Sequence, residues 1–585
     1  MFKDLADMDR SSNRVSSTAV NHGTVPTGSP SAPLSSSAVA MATRSVVEAP
    51  NPASEPLFLD VQHPMPAIDH TDDVSPSFLS FMDLLTDGSQ ASPTTLTTTP
   101  VTAQANQPRV ADYAARPTQS LAETSAAPVP SGLPTSRTAE GASSSSARNS
   151  LVLPAGPLSA DMQIEQIAPW PAISFFITLY LRYMHSLLPI VHRPSFAQAM
   201  TMRADRGDRN LRALVLGLVS YTVGQSPLSR MESEYSRADL QRLQRRCHRA
   251  SMLLLDREYR KLSILHVGIL ITGYFCCQSV GQVNRASALL SEACQVAHNL
   301  RLHESGDIPE FQDLDTIEME LRRRVFWHVY AVDITEASGG NMIHLNDFEG
   351  LAPLPSSVDD EYITSQGSFP QPLQKPSYMT GYVACVQLFP VMADCIVRHR
   401  RLKQRLKRAR PLSDAEVMLE KAWVQEARIE VDRLMSDLPP ALQLGDGSPR
   451  PTGDPVEDAV FGMQRANLLI TEASVKFSLF DYWLELEPLT TESINERAAL
   501  AHRAYATLSS ISLDDLAANG ESMRGKIFRI VIALLRSPDM GSEWVNTVQD
   551  WWSLFSRVNF VQLMPPDMAS AFDSRQQSPS PSQAA

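Results

Sequence analysis

The chain runs to 585 residues, yet it has no cysteine before Cys247 and no C-x-x-C pair anywhere. Its six cysteines are Cys247, Cys276, Cys277, Cys294, Cys385 and Cys395, mostly set in apolar runs. That spacing offers no closed zinc site, which needs several convergent ligands. The opening MFKDLADMDRSS lacks the apolar h-region of a secretory signal, so the thiols are expected to be reduced residues of helix cores. Long hydrophobic runs are also missing. The best, ILHVGILITGYFCC, is too short to span a bilayer and carries a histidine, so no membrane is expected. Catalytic signatures are absent too: no G-x-S-x-G, no H-E-x-x-H and no G-x-G-x-x-G. GESMRGKI (520–527) nearly spells a phosphate loop, but Ile527 stands where Ser or Thr must reach magnesium. His298 and His303 lack the helical spacing of a metal pair and read as surface or satisfied core residues. No catalytic, metal or cofactor residue is therefore assigned. The net charge of −13 excludes whole-molecule attraction to nucleic acid or acidic membranes, leaving only local basic patches.

What is present changes character along the chain. Residues 1–160 are rich in Ser, Thr, Pro and Ala, with no tryptophan and a single tyrosine, Tyr113. Such an arm cannot bury enough apolar surface to offset its chain entropy and is expected to be disordered. An island at 69–87, DHTDDVSPSFLSFMDLLTD, interrupts it. There Phe78, Leu79, Phe81, Met82, Leu84 and Leu85 lie among aspartates, and Phe78, Phe81, Met82 and Leu85 share one face of a short helix. An amphipathic acidic segment of this kind reads as an activation segment that docks in a partner's groove; a chance apolar cluster is the plainer alternative.

From Trp170 onward the apolar residues recur at i, i+3, i+4 and i+7, with turn residues between the runs. In PAISFFITLYLRYMHSLLPI the expected buried face is Phe176, Leu179, Tyr180, Tyr183, Leu187 and Ile190. No strand ladder is evident. The fold class is therefore all-α, with antiparallel helices packed into a body over 161–445. A C-terminal helical extension follows at 446–565, then a disordered tail at 566–585. Within the body, DLDTIEMELRRRVFWHVYAVDITEASGG starts acidic, turns apolar and leaves through Gly339 and Gly340. Glu318 precedes Arg322 by four residues and Glu320 precedes Arg324 by four, so i,i+4 ion pairs are available.

Five stretches occur in order: LLPIVHRPSF, LITGYFCCQSVGQVNRASALLSEACQVAHNLRLHES, LRRRVFWHVYAVD, LAPLPSSVDDEY and LPPALQL. Together they resemble the middle homology region of fungal zinc-cluster transcription factors across most of 170–445. The resemblance implies an all-helical regulatory domain in which Arg322, Arg323, Arg324, Phe326, Trp327 and Asp333 form a structural centrepiece. It also implies internal salt bridges, rather than DNA contact, for the three arginines. Members of that family carry an N-terminal six-cysteine binuclear zinc cluster, and this sequence shows none, so no zinc cofactor is expected in it. Either the chain acts through a DNA-reading partner or an upstream exon is missing from it.

One basic run remains: RHRRLKQRLKRAR, with Arg398, Arg400, Arg401, Lys403, Arg405, Lys407, Arg408 and Arg410. It reads as a nuclear import signal on a helix leaving the core, with a solvated helix face as the alternative. The expectation is a non-enzymatic nuclear regulator of a fungal metabolic or secondary-metabolite pathway. It would contact the transcription machinery or a DNA-binding partner, touching DNA only indirectly. A small-molecule effector among the helices and a homo-oligomer remain open, and an all-α scaffold or enzyme is the rival reading.

Overall fold

The computed structural model describes residues 151–535, apart from 258, 260, 305–307, 347–349, 444–451 and 488–489, and a few positions between 546 and 554. The arm with its island, and the tail, lie outside the described residues.

The described chain is mostly helical, as the periodicity requires. The short α1 (Ile164–Ile167) and α2 (Trp170–Leu179) lead in, and α3 spans Arg193–Thr201. Next come α4 (Arg209–Gln225), α5 (Arg237–Leu254), α6 (Ile264–Ser279), α7 (Val283–Asn299) and α8 (Thr316–Ser338). The second half holds α9 (Thr380–Lys407), α10 (Asp414–Ser436), α11 (Pro455–Leu486), α12 (Thr491–Ser509), α13 (Leu513–Ala517) and α14 (Gly520–Leu535). The starts are written in the sequence. The Asp208 carboxylate accepts the amides of Asn210 and Leu211, Ser236 accepts that of Asp239, and Asp315 that of Glu318. Ser413 and Glu416 cap α10 reciprocally.

Helix α4 packs on α5 and α6, α6 on α7, α8 on α7 and α9, and α9 on α11. Helix α6 is buried along nearly its whole length, which explains why its sequence has no polar stripe. It lies so close to α4 that a Cβ on Gly217 would stand 2.4 Å from Thr272 Oγ1. The apolar residues of α2 through α11 form one buried cluster. Those of α12, α13 and α14 form a second with the opposite side of α11, where Ile470 and Phe477 are buried. Helices on both sides of the boundary at 445 thus share one core.

Two details depart from the sequence pattern. After α2 the backbone makes a π-turn at Tyr180–Met184, with the His185 amide bonding the Tyr180 carbonyl. The wider turn advances the buried face by one residue. Met184 and Leu188 enter the core in place of the expected Tyr183 and Leu187, which are only half-buried, while Phe176, Leu179, Tyr180 and Ile190 are buried as the spacing predicts. The proline-fixed segment after α8 also contains a two-residue antiparallel pair, Ile363–Thr364 with Gly367–Ser368. Helix α9 includes a window long and apolar enough to cross a membrane, but 56% of that window is buried inside the helical body. It packs against α8 and α11, as the core helix of a globular body does.

Candidate functional site

The three consecutive arginines near the start of α8 point to three different environments. Arg324 is almost fully buried, with its side chain 1% exposed. Its Nε donates to Glu320 Oε1 at 2.9 Å, and its Nη1 to Asp360 Oδ1 at 2.5 Å. Glu320 Oε1 also accepts the Ser356 amide at 2.9 Å, and Asp360 Oδ2 accepts the Arg193 amide at 2.7 Å. His192 Nε2 meets the Asp360 carbonyl at 2.8 Å, and the Tyr382 hydroxyl donates to the Arg324 carbonyl at 2.9 Å. Three of the five stretches read in the sequence, 187–196, 321–333 and 351–362, therefore converge on one buried ionic seam. Arg322 differs. It forms no ion pair with Glu318 among the described contacts; its guanidinium lies 4.3 Å above the Phe311 ring and donates to the Leu300 carbonyl. The i,i+4 expectation is met at Glu320–Arg324 and replaced at Arg322 by a ring and a carbonyl that only the fold brings near. Arg323 is the outermost, 34% exposed and 3.7 Å from Glu320.

The electrostatics of the seam follow from burial and partner count. Burial opposes ionisation of Asp360, but His185 and Arg324 overcome it and hold the carboxyl at about 2. Burial pushes His185 itself down to about 4, so at neutral pH the cation facing Asp360 is Arg324. At Glu320 burial prevails over Arg324 and the carboxyl is raised. The aromatic part of the motif is core: Phe326 and Trp327 are buried, and the indole Nε1 donates to the Pro353 carbonyl at 3.0 Å.

Asp333, at the far end of the same helix, belongs to a second polar cluster. One of its oxygens accepts the backbone amides of His344 and Leu345, at 2.8 and 2.9 Å. The other lies 2.7 Å from His344 Nδ1. The remaining ring nitrogen of His344 is 2.9 Å from Ser291 Oγ on α7, and that hydroxyl donates to the Ser287 carbonyl at 3.0 Å. Beside them is a cleft of about 380 Å³, lined among others by Cys294, His298, His303, Phe326, Met342 and His344. His298 and His303 stack with parallel rings 5.2 Å apart. The Cys294 thiol is buried, and burial together with the Asp333 charge pushes it well above the ordinary thiol range. Nothing in the sequence joins Cys294 to His344. Only the Cys294–His298 spacing of four on one helix hints that this face is shared.

The basic run occupies the last turns of α9 and the loop after it. Part of it works inside the fold. Arg398 donates to Asp394 and Glu420 at 3.1 and 2.8 Å and lies 4.4 Å over the Trp423 ring. Arg400 donates to the carbonyls of Ala337 and Asn341 at the end of α8, where a cation complements the helix dipole. Arg405 pairs with Glu416 at 2.8 Å, and Lys403 lies 3.4 Å from Glu485. Arg401, Lys407, Arg408 and Arg410 are exposed. The island residues Phe78, Leu79, Phe81, Met82, Leu84 and Leu85 lie outside the described residues. GESMRGKI forms the first turns of α14, not a loop, and buried Lys526 donates to Thr471 at 2.7 Å.

Residues 177–420 match the model of the Fungal specific transcription factor domain. The matched stretch begins within α2 and ends within α10, so it contains both the ionic seam and the imidazole-lined cleft. No curated protein matches the chain. Over that stretch the chain is similar to fungal specific transcription factor domains, which are typically non-enzymatic and act in the nucleus.

Proposed function

We propose that this chain is a nuclear transcriptional regulator of a fungal metabolic or secondary-metabolite pathway. In this reading the helical body receives a signal and the acidic island of 69–87 recruits the transcription machinery. The observation that carries the reading is the domain match over 177–420. The architecture agrees with it in kind. The seam around Arg324 is buried, with Glu320 and Asp360 bonded to its guanidinium from two separate elements, as suits a scaffold holding helices in register. DNA would be reached through a partner protein, since the densest run of exposed basic side chains, Arg401, Lys403, Lys407, Arg408 and Arg410, lies at one helix end, and charge alone supplies phosphate attraction without base reading.

The test is a tethering assay. The full chain fused to an unrelated DNA-binding domain is expected to raise transcription of a reporter. Replacing Phe78, Phe81 and Leu85 with alanine is expected to abolish this at unchanged protein level, because the apolar face supplies the contacts in the partner's groove. A chain that is inert, in either direction, on the reporter and on the cell's transcripts after its deletion contradicts the regulatory reading. A triple variant as active as the parent removes only the role of the island.

A further inference from the structure

We infer that Cys294, Asp333 and His344 form a binding site for one borderline-soft divalent cation, of the zinc class. The inference is independent of the transcriptional reading, since it rests on the geometry of these residues alone. One ligand atom from each, the thiol sulfur, a carboxylate oxygen and a ring nitrogen, lies within 4.8 Å of the other two. Tetrahedral zinc, with bonds of about 2.0–2.3 Å, holds its ligands roughly 3.3–3.8 Å apart. His344 Nδ1 and Asp333 Oδ1, 2.7 Å apart, thus need to part by about 0.6 Å or more to admit the ion between them. The three side chains come from α7, from α8 and from the segment just after α8, so they are fixed by packed helices on two sides.

The hydrogen bonds around His344 suit metal ligation in one of its tautomers. The Ser291 hydroxyl lies 3.0 Å from the Ser287 carbonyl and 2.9 Å from His344 Nε2, so when it donates to the carbonyl its oxygen can accept from Nε2–H. In the tautomer with its hydrogen on Nε2, Nδ1 carries the lone pair that would ligate a metal ion beside Asp333 Oδ1, 2.7 Å away. A metal-ligating imidazole commonly donates its other N–H to a fixed acceptor, and Ser291 is in position to be that acceptor. When the ion binds, the Cys294 thiol loses its proton to solvent and Nδ1 and Oδ1 each give a lone pair. The charge of the ion is then balanced by one thiolate and one carboxylate.

The ligand set selects the metal. Thiolate and imidazole favour zinc and its neighbours over magnesium or calcium, which take oxygen donors. Three protein ligands leave a fourth position open toward the cleft. His298, His303 and the exposed Met342 line that cleft, so the further donors nearby are again imidazoles and a thioether.

The experiment uses the full chain, freed of any histidine tag and stripped with chelator, with zinc chloride and cobalt chloride as probes. The expected result is uptake of one ion per chain and, for cobalt, a thiolate-to-metal charge-transfer absorption. Cys294→Ser is expected to abolish that absorption, and His344→Gln to weaken zinc binding by at least about tenfold. Magnesium should not compete. The proposal is overturned if the stripped parent takes up no stoichiometric zinc, if bound cobalt shows no charge-transfer band, or if both variants bind as the parent does. Uptake of two ions that is insensitive to both variants overturns it as well. Circular dichroism reports whether the variants fold; if neither does, stoichiometry and the cobalt spectrum of the parent decide.

Discussion

Two arginine-rich stretches look alike on paper and behave oppositely in the fold. At the start of α8, three adjacent arginines are drawn into the body, and the innermost is enclosed by carboxylates from its own helix and from a segment 36 positions away. At the end of α9, a denser run keeps Arg401, Lys407, Arg408 and Arg410 in solvent. The density of positive charge does not decide between these fates. The delivery of carboxylates does: Arg324 receives Glu320 and Asp360, whereas Arg401, Lys407, Arg408 and Arg410 form no ion pair with the described residues. Even inside the run the rule holds. Arg398 and Arg405 are held where α10 brings Glu420 and Glu416.

The sharpest way to break this comparison is to remove the arginines of α8 one at a time. Arg324→Ala strands Glu320 and Asp360 in a dry site and is expected to cost about 3–5 kcal/mol of unfolding free energy. Arg322→Ala loses the Phe311 ring contact and the Leu300 carbonyl bond, with an expected cost of about 1 kcal/mol. Arg323→Ala should fall within about 0.5 kcal/mol, since its ion pair is long and its side chain partly exposed. Urea denaturation of the three variants measures the order. Equal costs at all three positions would mean that the seam is not what separates them.

A second test uses acid. Burial lowers His328 to about 3 and His185 to about 4, both below the value of 6.5 that a free imidazole has. The unfolded chain therefore takes up protons below about pH 6.5, while the folded chain does not until pH 3–4. The stabilisation from keeping these rings neutral is complete above pH 6.5 and is lost as pH falls through that window. Asp360 adds its own loss further down, as pH drops from the usual carboxylate range toward its value of about 2. Between pH 6.5 and 4.5 the His328 contribution should fall by on the order of 2 kcal/mol. His328→Leu should flatten this part of the profile, because burial is the only cause of the ring's shift. A denaturation midpoint that slopes as steeply in the variant would assign the acid sensitivity elsewhere.

Much of this architecture was legible in the sequence, and the gaps have physical causes. Helices are local, so their periodicity and caps show directly, as Asp315 before α8 and Ser413 with Glu416 before α10 do. The ion pair of Arg324 could be anticipated from Glu320 at i−4, whereas the Phe311 ring and Leu300 carbonyl that hold Arg322 could not. The π-turn after Leu179 could not, since a five-residue turn changes register without changing composition, and the expected Tyr183 and Leu187 gave way to Met184 and Leu188. The cluster of Cys294, Asp333 and His344 was hidden for another reason. Its members come from different elements at irregular spacing, and tertiary packing alone assembles them. The same holds for Arg400, whose partners are carbonyls at the end of α8.

The smallest expected effect on stability belongs to the exposed end of the basic run, and there the comparison bears on localisation. Arg401, Lys407, Arg408 and Arg410 are exposed, so changing all four to glutamine should alter unfolding free energy by no more than about 0.5 kcal/mol per site. The chain is acidic overall, at −13, so these side chains are among its few concentrated sources of attraction for an acidic import receptor. If the run directs import, a tagged quadruple variant should move from nucleus to cytoplasm while its circular dichroism matches the parent. A paired variant sharpens the reading: Arg398→Gln and Arg405→Gln remove charge from the same run but break the contacts to Glu420 and Glu416. That pair should destabilise the α9–α10 junction and leave import largely intact, because the solvent-facing cations remain. A quadruple variant that folds and stays nuclear would reduce the exposed end to an ordinary solvated helix terminus, and the import signal would have to lie elsewhere in the chain or in a partner that carries it in.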